Sequence, residues 1–278
     1  MRAFALFFAT LIGFFCAHAF AQQEKTAFSD LVVLAPKLAR LQNQFEQMTT
    51  PGVSIEAREV FRKGASGVDL QVRYNIYVKG VPPDSVFHQL QWPVDREKPV
   101  SGFSGITINS DGLMICAGRT AEQCHSGDRL DAPIQFSRIK PLKGEPMRFI
   151  FISKDLKVPV SFIPDPVESE DNGCKLSAVR LSAKFELALI EGMGFPPNAE
   201  VRLKNSNGES PEAVVILDDN GVSATADKST GVVVKTDARG AIQATLLNNT
   251  TGSTTGSEVV QMIAPHCSPK VQYSWGVF

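Results

Sequence analysis

The sequence has no excess of charge of either sign: 28 Lys and Arg stand against 29 Asp and Glu, a formal net charge of −1. A nucleic-acid partner, an acidic tail and a disordered chain therefore find no support in its charge. Histidine is scarce at four residues, tryptophan at two and tyrosine at three. Neither H-E-x-x-H nor C-x2-C occurs, so the common zinc spacings are missing. G-x-x-x-x-G-K and G-x-G-x-x-G are also missing, which excludes the usual phosphate-binding loops. Beyond the first 23 residues there is no apolar run long enough for a membrane helix. The composition is that of a globular chain of 278 residues, enough for one large domain or two smaller ones.

What is present begins with an address. Met1-Arg2 precedes an uncharged stretch, Ala3 to Phe15, followed by small residues at Ala17, Ala19 and Ala21. This reads as a secretory signal peptide over residues 1–21, cut after Ala21, with Ala19 the alternative. The alternative to cleavage is a retained N-terminal membrane helix. Phe15 before Cys16 leaves a poor lipid-attachment site. Loss of the leader removes Cys16 and leaves four cysteines, Cys116, Cys124, Cys174 and Cys267. An even count in an exported chain points to disulfides, and four cysteines allow three pairings. The preferred pairing is Cys116–Cys124, close in sequence, with Cys174–Cys267 tying the start of a C-terminal domain to its end. Cys124-His125 and His266-Cys267 invite a metal. The ligand spacing does not fit one, and adjacent residues on a strand face opposite ways.

Periodicity gives the architecture. Residues 29–48 carry Leu31, Leu34, Leu38, Leu41, Phe45 and Met48 at helical spacing, interrupted by Pro36. Residues 22–52 are thus expected to form a short helical arm, either a dimerising coiled coil or a helix packed on its own domain. Residues 68–79 alternate strictly. Val68, Leu70, Val72, Tyr74, Ile76 and Val78 share one face, and Asp69, Gln71, Arg73, Asn75, Tyr77 and Lys79 share the other. One wet face favours an antiparallel sheet. Short apolar segments follow at 106–108, 113–116, 134–139, 147–152 and 158–163, with turn residues between several of them. The segment 164–173, PDPVESEDNG, reads as a linker between a domain over 53–163 and another over 174–278. Eight further strands are expected in the second domain: 174–181, 185–190, 199–204, 213–217, 232–236, 241–247, 259–263 and 271–275. That number suits a β-sandwich.

The stretch LALIEGMGFPPNAEVRL, 187–203, resembles the strand pair of immunoglobulin-like domains of the IPT/TIG type, and TDARGAIQATL, 236–246, resembles a segment of secreted Ig-like modules. The ending CSPKVQYSWG, 267–276, is similar to those of exported bacterial proteins. The resemblance implies strand and turn geometry rather than chemistry, over about the last 100 residues.

Candidate chemistry is sparse. His88 lies on an ordinary strand reading. Ser101-Gly102-Phe103-Ser104-Gly105 is not G-x-S-x-G and lacks a strand-turn-helix setting. Asp165, Glu168, Glu170 and Asp171 cluster in the expected linker, where a glycosidase pair could not be held at a set separation. Tyr77, Trp92 and Trp275 are candidate sugar-stacking residues, with core packing the competing role. Asn248-Asn249-Thr250-Thr251 holds two overlapping glycosylation sequons.

The expectation is a mainly β protein: two antiparallel, Ig-like β-sandwich domains in tandem behind a short N-terminal helix. Its function would be non-catalytic, without metal or cofactor, secreted or held in the periplasm or on the cell surface. The partner would be a protein or glycan of the cell envelope, with no nucleic acid and no membrane span after signal cleavage. Carbohydrate binding is the alternative, a secreted hydrolase the more distant one.

Overall fold

The computed structural model describes residues 38, 44–45, 48–94, 96, 98–116, 133–154, 156–205, 215–217, 223–225, 232–247 and 255–276. The expected signal peptide lies outside these residues, as does nearly all of the expected helix. Of that helix only Leu38, Gln44, Phe45 and Met48 are described. Leu38 and Phe45, seven residues apart, are both buried, and Phe45 packs edge-on against Trp92 with centroids 6.1 Å apart.

The architecture is mainly β and antiparallel. The N-terminal region contains β1 (Ser54–Lys63), β2 (Gln71–Lys79), β3 (His88–Gln91), β4 (Val100–Ser101), β5 (Ile106–Ile108), β6 (Met114–Cys116), β7 (Gln135–Ile139), β8 (Met147–Ser153) and β9 (Leu156–Phe162). They pair as sheets in the orders β1-β2-β7, β4-β3-β8-β9 and β5-β6. Ile76 and Val78 from the first, Phe149, Phe151 and Val158 from the second, Ile106 and Met114 from the third, and Phe87, which bridges to Ile106 just before β3, share one core. Phe136 touches Phe149 and Phe151 at centroid distances of 4.5 and 5.9 Å. The β5–β6 turn is built by Asn109, whose Oδ1 accepts from the N–H of Asp111 and of Leu113. Such a side-chain-to-backbone bond is why Asn recurs in turns.

The C-terminal region contains β10 (Val167–Asp171), β11 (Cys174–Arg180), β12 (Leu187–Met193), β13 (Glu200–Asn205), β14 (Val215–Leu217), β15 (Ser223–Thr225), β16 (Val232–Lys235), β17 (Ile242–Leu247), β18 (Gly256–Ile263) and β19 (Lys270–Trp275). Two four-stranded sheets, β10-β11-β12-β17 and β16-β13-β18-β19, face a common core that includes Leu176, Ile190, Leu203, Val260, Met262 and Trp275. β14 and β15 form a separate hairpin.

Three details depart from the sequence reading. Residues 164–173 do not simply link: Val167–Asp171 is the edge strand β10, paired residue for residue with β11 around Asn172-Gly173. Its charge concealed it, yet charged side chains are what an edge strand carries to deter pairing with other chains. Val68, expected on the buried face, is 72% exposed, because Gly67–Asp69 forms a short 3-10 turn before β2 begins. Asn75, expected on the wet face, is buried in the central strand of its sheet. The rest of the alternation holds, with Val72, Tyr74, Ile76 and Val78 buried and Arg73 and Lys79 exposed.

The two regions meet at a hydrogen-bonded joint. Asp165 is buried and its Oδ2 accepts from Ser66 Oγ and Gly67 N, each at 2.8 Å. The N–H of Gly144 donates to Asp165 O and that of Arg180 to Gly144 O, each at 2.7 Å. The Arg180 guanidinium donates to the carbonyls of Lys143 and Ala183 and lies over the Phe185 ring, 4.5 Å from its centroid. Gly144 has φ +70°, and a Cβ there would stand 2.8 Å from Phe185 Cζ and 3.0 Å from the Ala178 carbonyl oxygen. Only glycine allows both the backbone turn and this approach. Burial draws the Arg180 pKa down from its ordinary value, while Glu145 and Glu186 act in the opposite direction.

Candidate functional site

The sulfur chemistry is structural. Cys174, the first residue of β11, and Cys267, in the β18–β19 turn, form a disulfide with Cα atoms 6.1 Å apart. His266 Nε2 lies 3.5 Å from Cys174 Sγ. The three side chains place possible metal ligands within 4.8 Å of one another. A disulfide sulfur is not a thiolate, and with two of the three donors so committed the trio lacks the ligands a zinc ion requires. The neighbouring backbone is pinned as well: Asn172 Nδ2 donates to His266 O at 3.0 Å and Ser268 N to Asp171 Oδ2 at 2.6 Å. Cys116, on β6, is also disulfide-bonded. Cys124 and His125 lie outside the described residues, as do the sequons at 248–251.

The nucleophile candidates come together in one place. Ser101 Oγ on β4 is 3.1 Å from His88 Nε2 on β3, a separation suited to a serine and its base. The adjacent backbone donors are engaged, Gly102 N with the Gln89 carbonyl and Phe103 N with Gln89 Oε1. An oxyanion would find neither of them free. Among the described residues no carboxylate hydrogen-bonds to His88.

The four carboxylates of 164–173 go separate ways. Asp165 turns inward onto Ser66 and Gly67. Glu168 pairs with Lys175 at 2.6 Å. Asp171 takes the Ser268 amide. Glu170 stands on β10 opposite Lys175 in the register.

Both tryptophans are core residues. Trp92 is 6% exposed, with Nε1 donating to the Arg96 carbonyl at 2.7 Å. Trp275 is 3% exposed and lies so close to Gly256 that a Cβ there would be 2.4 Å from its ring. Neither can stack on a sugar. Tyr77 is half-buried, and the Arg58 guanidinium already covers its ring at 4.1 Å.

That covered ring belongs to the most distinctive surface among the described residues, the outer face of β1-β2-β7. The register sets Glu56 opposite Tyr77, Arg58 opposite Asn75, Phe61 opposite Arg73 and Lys63 opposite Gln71. On the other side of β2, Gln135, Ser137 and Ile139 complete the rows. Arg73 lies over the Phe61 ring at 4.8 Å. Arg58 bonds Glu56 at 2.7 Å, and that bond lowers the Glu56 pKa and raises that of Arg58. The register skips Val60 between Glu59 and Phe61, a β-bulge that returns Glu59 and Arg62 to the opposite face. There Arg62 holds the Glu59 pKa down, and Glu59 accepts from the Tyr74 hydroxyl at 3.1 Å. The alternation of residues 68–79 had marked Arg73, Tyr77 and Lys79 as one face. Arg58, Phe61 and Lys63 were missed because SIEAREVFRK, broken by its bulge, does not alternate.

Among the described residues, one cavity of about 380 Å³ lies between β1 and β9 beside Phe45, and another of about 300 Å³ lies beside Val233 and Pro265.

Comparison with known proteins identifies no family. No family model matches, and no curated protein does either. Among solved structures, a trypsin-activated alpha-2-macroglobulin from Escherichia coli aligns with 82% of this chain at 9% identity and a TM-score of 0.27. The chain spans 16% of that protein's length. No helix among the described residues is long and apolar enough to cross a membrane.

Proposed function

We propose that the protein is a non-catalytic module, exported to the periplasm or cell surface, that binds an envelope partner through the outer face of β1-β2-β7. The observation that carries this reading is the makeup of that face. It sets exposed Phe61 and Ile139 among Lys63, Arg73 and Lys79. Exposed apolar side chains gathered among charges mark interaction surfaces. The disulfides support export, since such bonds persist in oxidising compartments. The engaged amides beside Ser101 and the separation of the carboxylates favour binding over turnover. In this reading the two regions are Ig-like sandwiches serving as a scaffold, with recognition grafted onto one sheet.

The test uses the chain without its leader and a washed envelope fraction. Saturable binding that weakens at least tenfold in Lys63→Glu with Arg73→Glu is expected. Unsaturable binding, or hydrolysis of any member of a broad ester, peptide and glycoside panel that is lost in Ser101→Ala, overturns it.

A further inference from the structure

Seven large hydrophobic side chains are exposed among the described residues: Val60, Phe61, Val68, Val86, Ile139, Met193 and Val233. Four of them gather at one end of the β1-β2-β7 sheet. Phe61 is cross-strand from Arg73, and Gln71 lies between Lys63 and Ile139. The Lys140 amide bonds the Leu70 carbonyl, which brings the 3-10 turn bearing Val68 to the same end. Val60 is the residue that the bulge leaves without a partner. Val68 and Ile139 are 72% and 63% exposed, the two highest values in this set.

Three cations stand around them: Lys63, Arg73 and Lys140. Among the described residues none of the three forms an ion pair, whereas Arg58 and Arg62 on the same hairpin do. Of the neighbouring carboxylates, Asp69 is exposed beside Val68, Glu59 is engaged by Arg62, and Asp165 is buried beneath Gly67.

We propose that this end of the sheet docks on an anionic lipid surface, with Val68 and Ile139 entering the headgroup boundary and Lys63, Arg73 and Lys140 facing lipid phosphates. The proposal rests on the envelope-binding reading and names its partner. Aliphatic side chains rimmed by Lys and Arg are the composition that peripheral membrane contact uses, through apolar burial and attraction to anionic lipid together. Two other occupants fit less well. A sugar polymer would be met by bare aromatic faces, but Phe61 and Tyr77 are already covered by guanidinium groups. A second copy packed about a two-fold axis would bring the same three cations against their equals.

The experiment measures co-sedimentation of the leaderless chain with phosphatidylcholine vesicles and with vesicles containing phosphatidylglycerol as well. Binding to the mixed vesicles alone, weakened by salt, is expected. Lys63→Gln with Arg73→Gln should weaken it about thirtyfold, from roughly 1 kcal/mol per cation. Val68→Ser with Ile139→Ser should weaken it about tenfold or more, since both methyl-bearing surfaces leave the lipid. Unchanged near-ultraviolet circular dichroism confirms that each variant is folded. No vesicle binding alongside saturable envelope binding overturns this inference and leaves the broader reading standing; absence of both removes both. Self-association abolished by Val68→Ser with Ile139→Ser overturns it in favour of a second copy. Vesicle binding insensitive to that double substitution overturns it in favour of a purely ionic contact.

Discussion

Replacing Cys174 and Cys267 together by alanine should cost the C-terminal region about as much free energy as a small domain's whole reserve. The bond spans a sequence separation of 93 residues. In the chain-entropy treatment, closing a loop of that size restricts the unfolded chain by about 4.7 kcal/mol at room temperature. Typical net stabilities are roughly 5–15 kcal/mol. The strand pairings on either side of the bond do not depend on the sulfurs: β10 pairs with β11 in one sheet and β18 with β19 in the other. The loss should therefore come from the unfolded state. Urea unfolding, followed by tryptophan emission, tests this because Trp275 packs in the same core. At a slope of roughly 2 kcal/mol per molar urea, the midpoint should fall by about 2 M, and the slope should rise as the unlinked chain expands. Wild-type protein treated with a reductant should follow the variant. A midpoint shift corresponding to less than about 1 kcal/mol would refute the reasoning, since it would mean that the unfolded region is already compact without its cross-link.

Gly144→Ala should destabilise the joint between the regions by about 1–3 kcal/mol, read as a lower unfolding midpoint, because the added methyl meets Phe185 and the Ala178 carbonyl at a positive φ. Asp165→Ala should cost about 1–3 kcal/mol by leaving Ser66 Oγ and Gly67 N without their acceptor; an unchanged thermal midpoint would show that water replaces the carboxylate. Burial, then the hydrogen bond to Glu59, pushes the Tyr74 phenol up to about 12 from 10.0. Its contribution to stability is thus present in full below about pH 10 and is lost as pH rises through about 12, because the unfolded chain ionises first. Ultraviolet titration should show a late-ionising phenol that Tyr74→Phe removes. Emission from Trp92 and Trp275 should be blue-shifted and unmoved by added glycans, and a saturable glycan-dependent change would contradict their burial.

Strands with an apolar face were legible in the sequence. Ile106–Ile108 was placed to the residue, and Val72, Tyr74, Ile76 and Val78 were assigned to the buried side they occupy. The long-range Cys174–Cys267 bridge was legible too, as the pair that would close a domain on itself. The two edge strands β1 and β10 were not. Their pairing is determined by β2 and β11, and their own residues, Glu56, Arg58 and Glu59 or Glu168 and Glu170, carry little β preference. The candidate face stayed hidden for the same reason. Arg73 could be assigned to a wet surface, but the ring beneath it belongs to Phe61 on a strand the pattern did not reveal. Val68 was misplaced because strict alternation ran one turn past the point where the backbone leaves the strand.

The contacts that Gly144 and Arg180 make across the joint have a mechanical meaning. A module tethered by one sheet can hold whatever it carries at a constant standoff only if its two halves do not swivel. Backbone amides and a sheltered guanidinium bridge the halves, so under the proposed attachment a swivel at this joint would have to break the Gly144–Asp165 and Arg180–Gly144 bonds. Under that proposal such a part would act as a bracket, setting distance and angle as well as attachment.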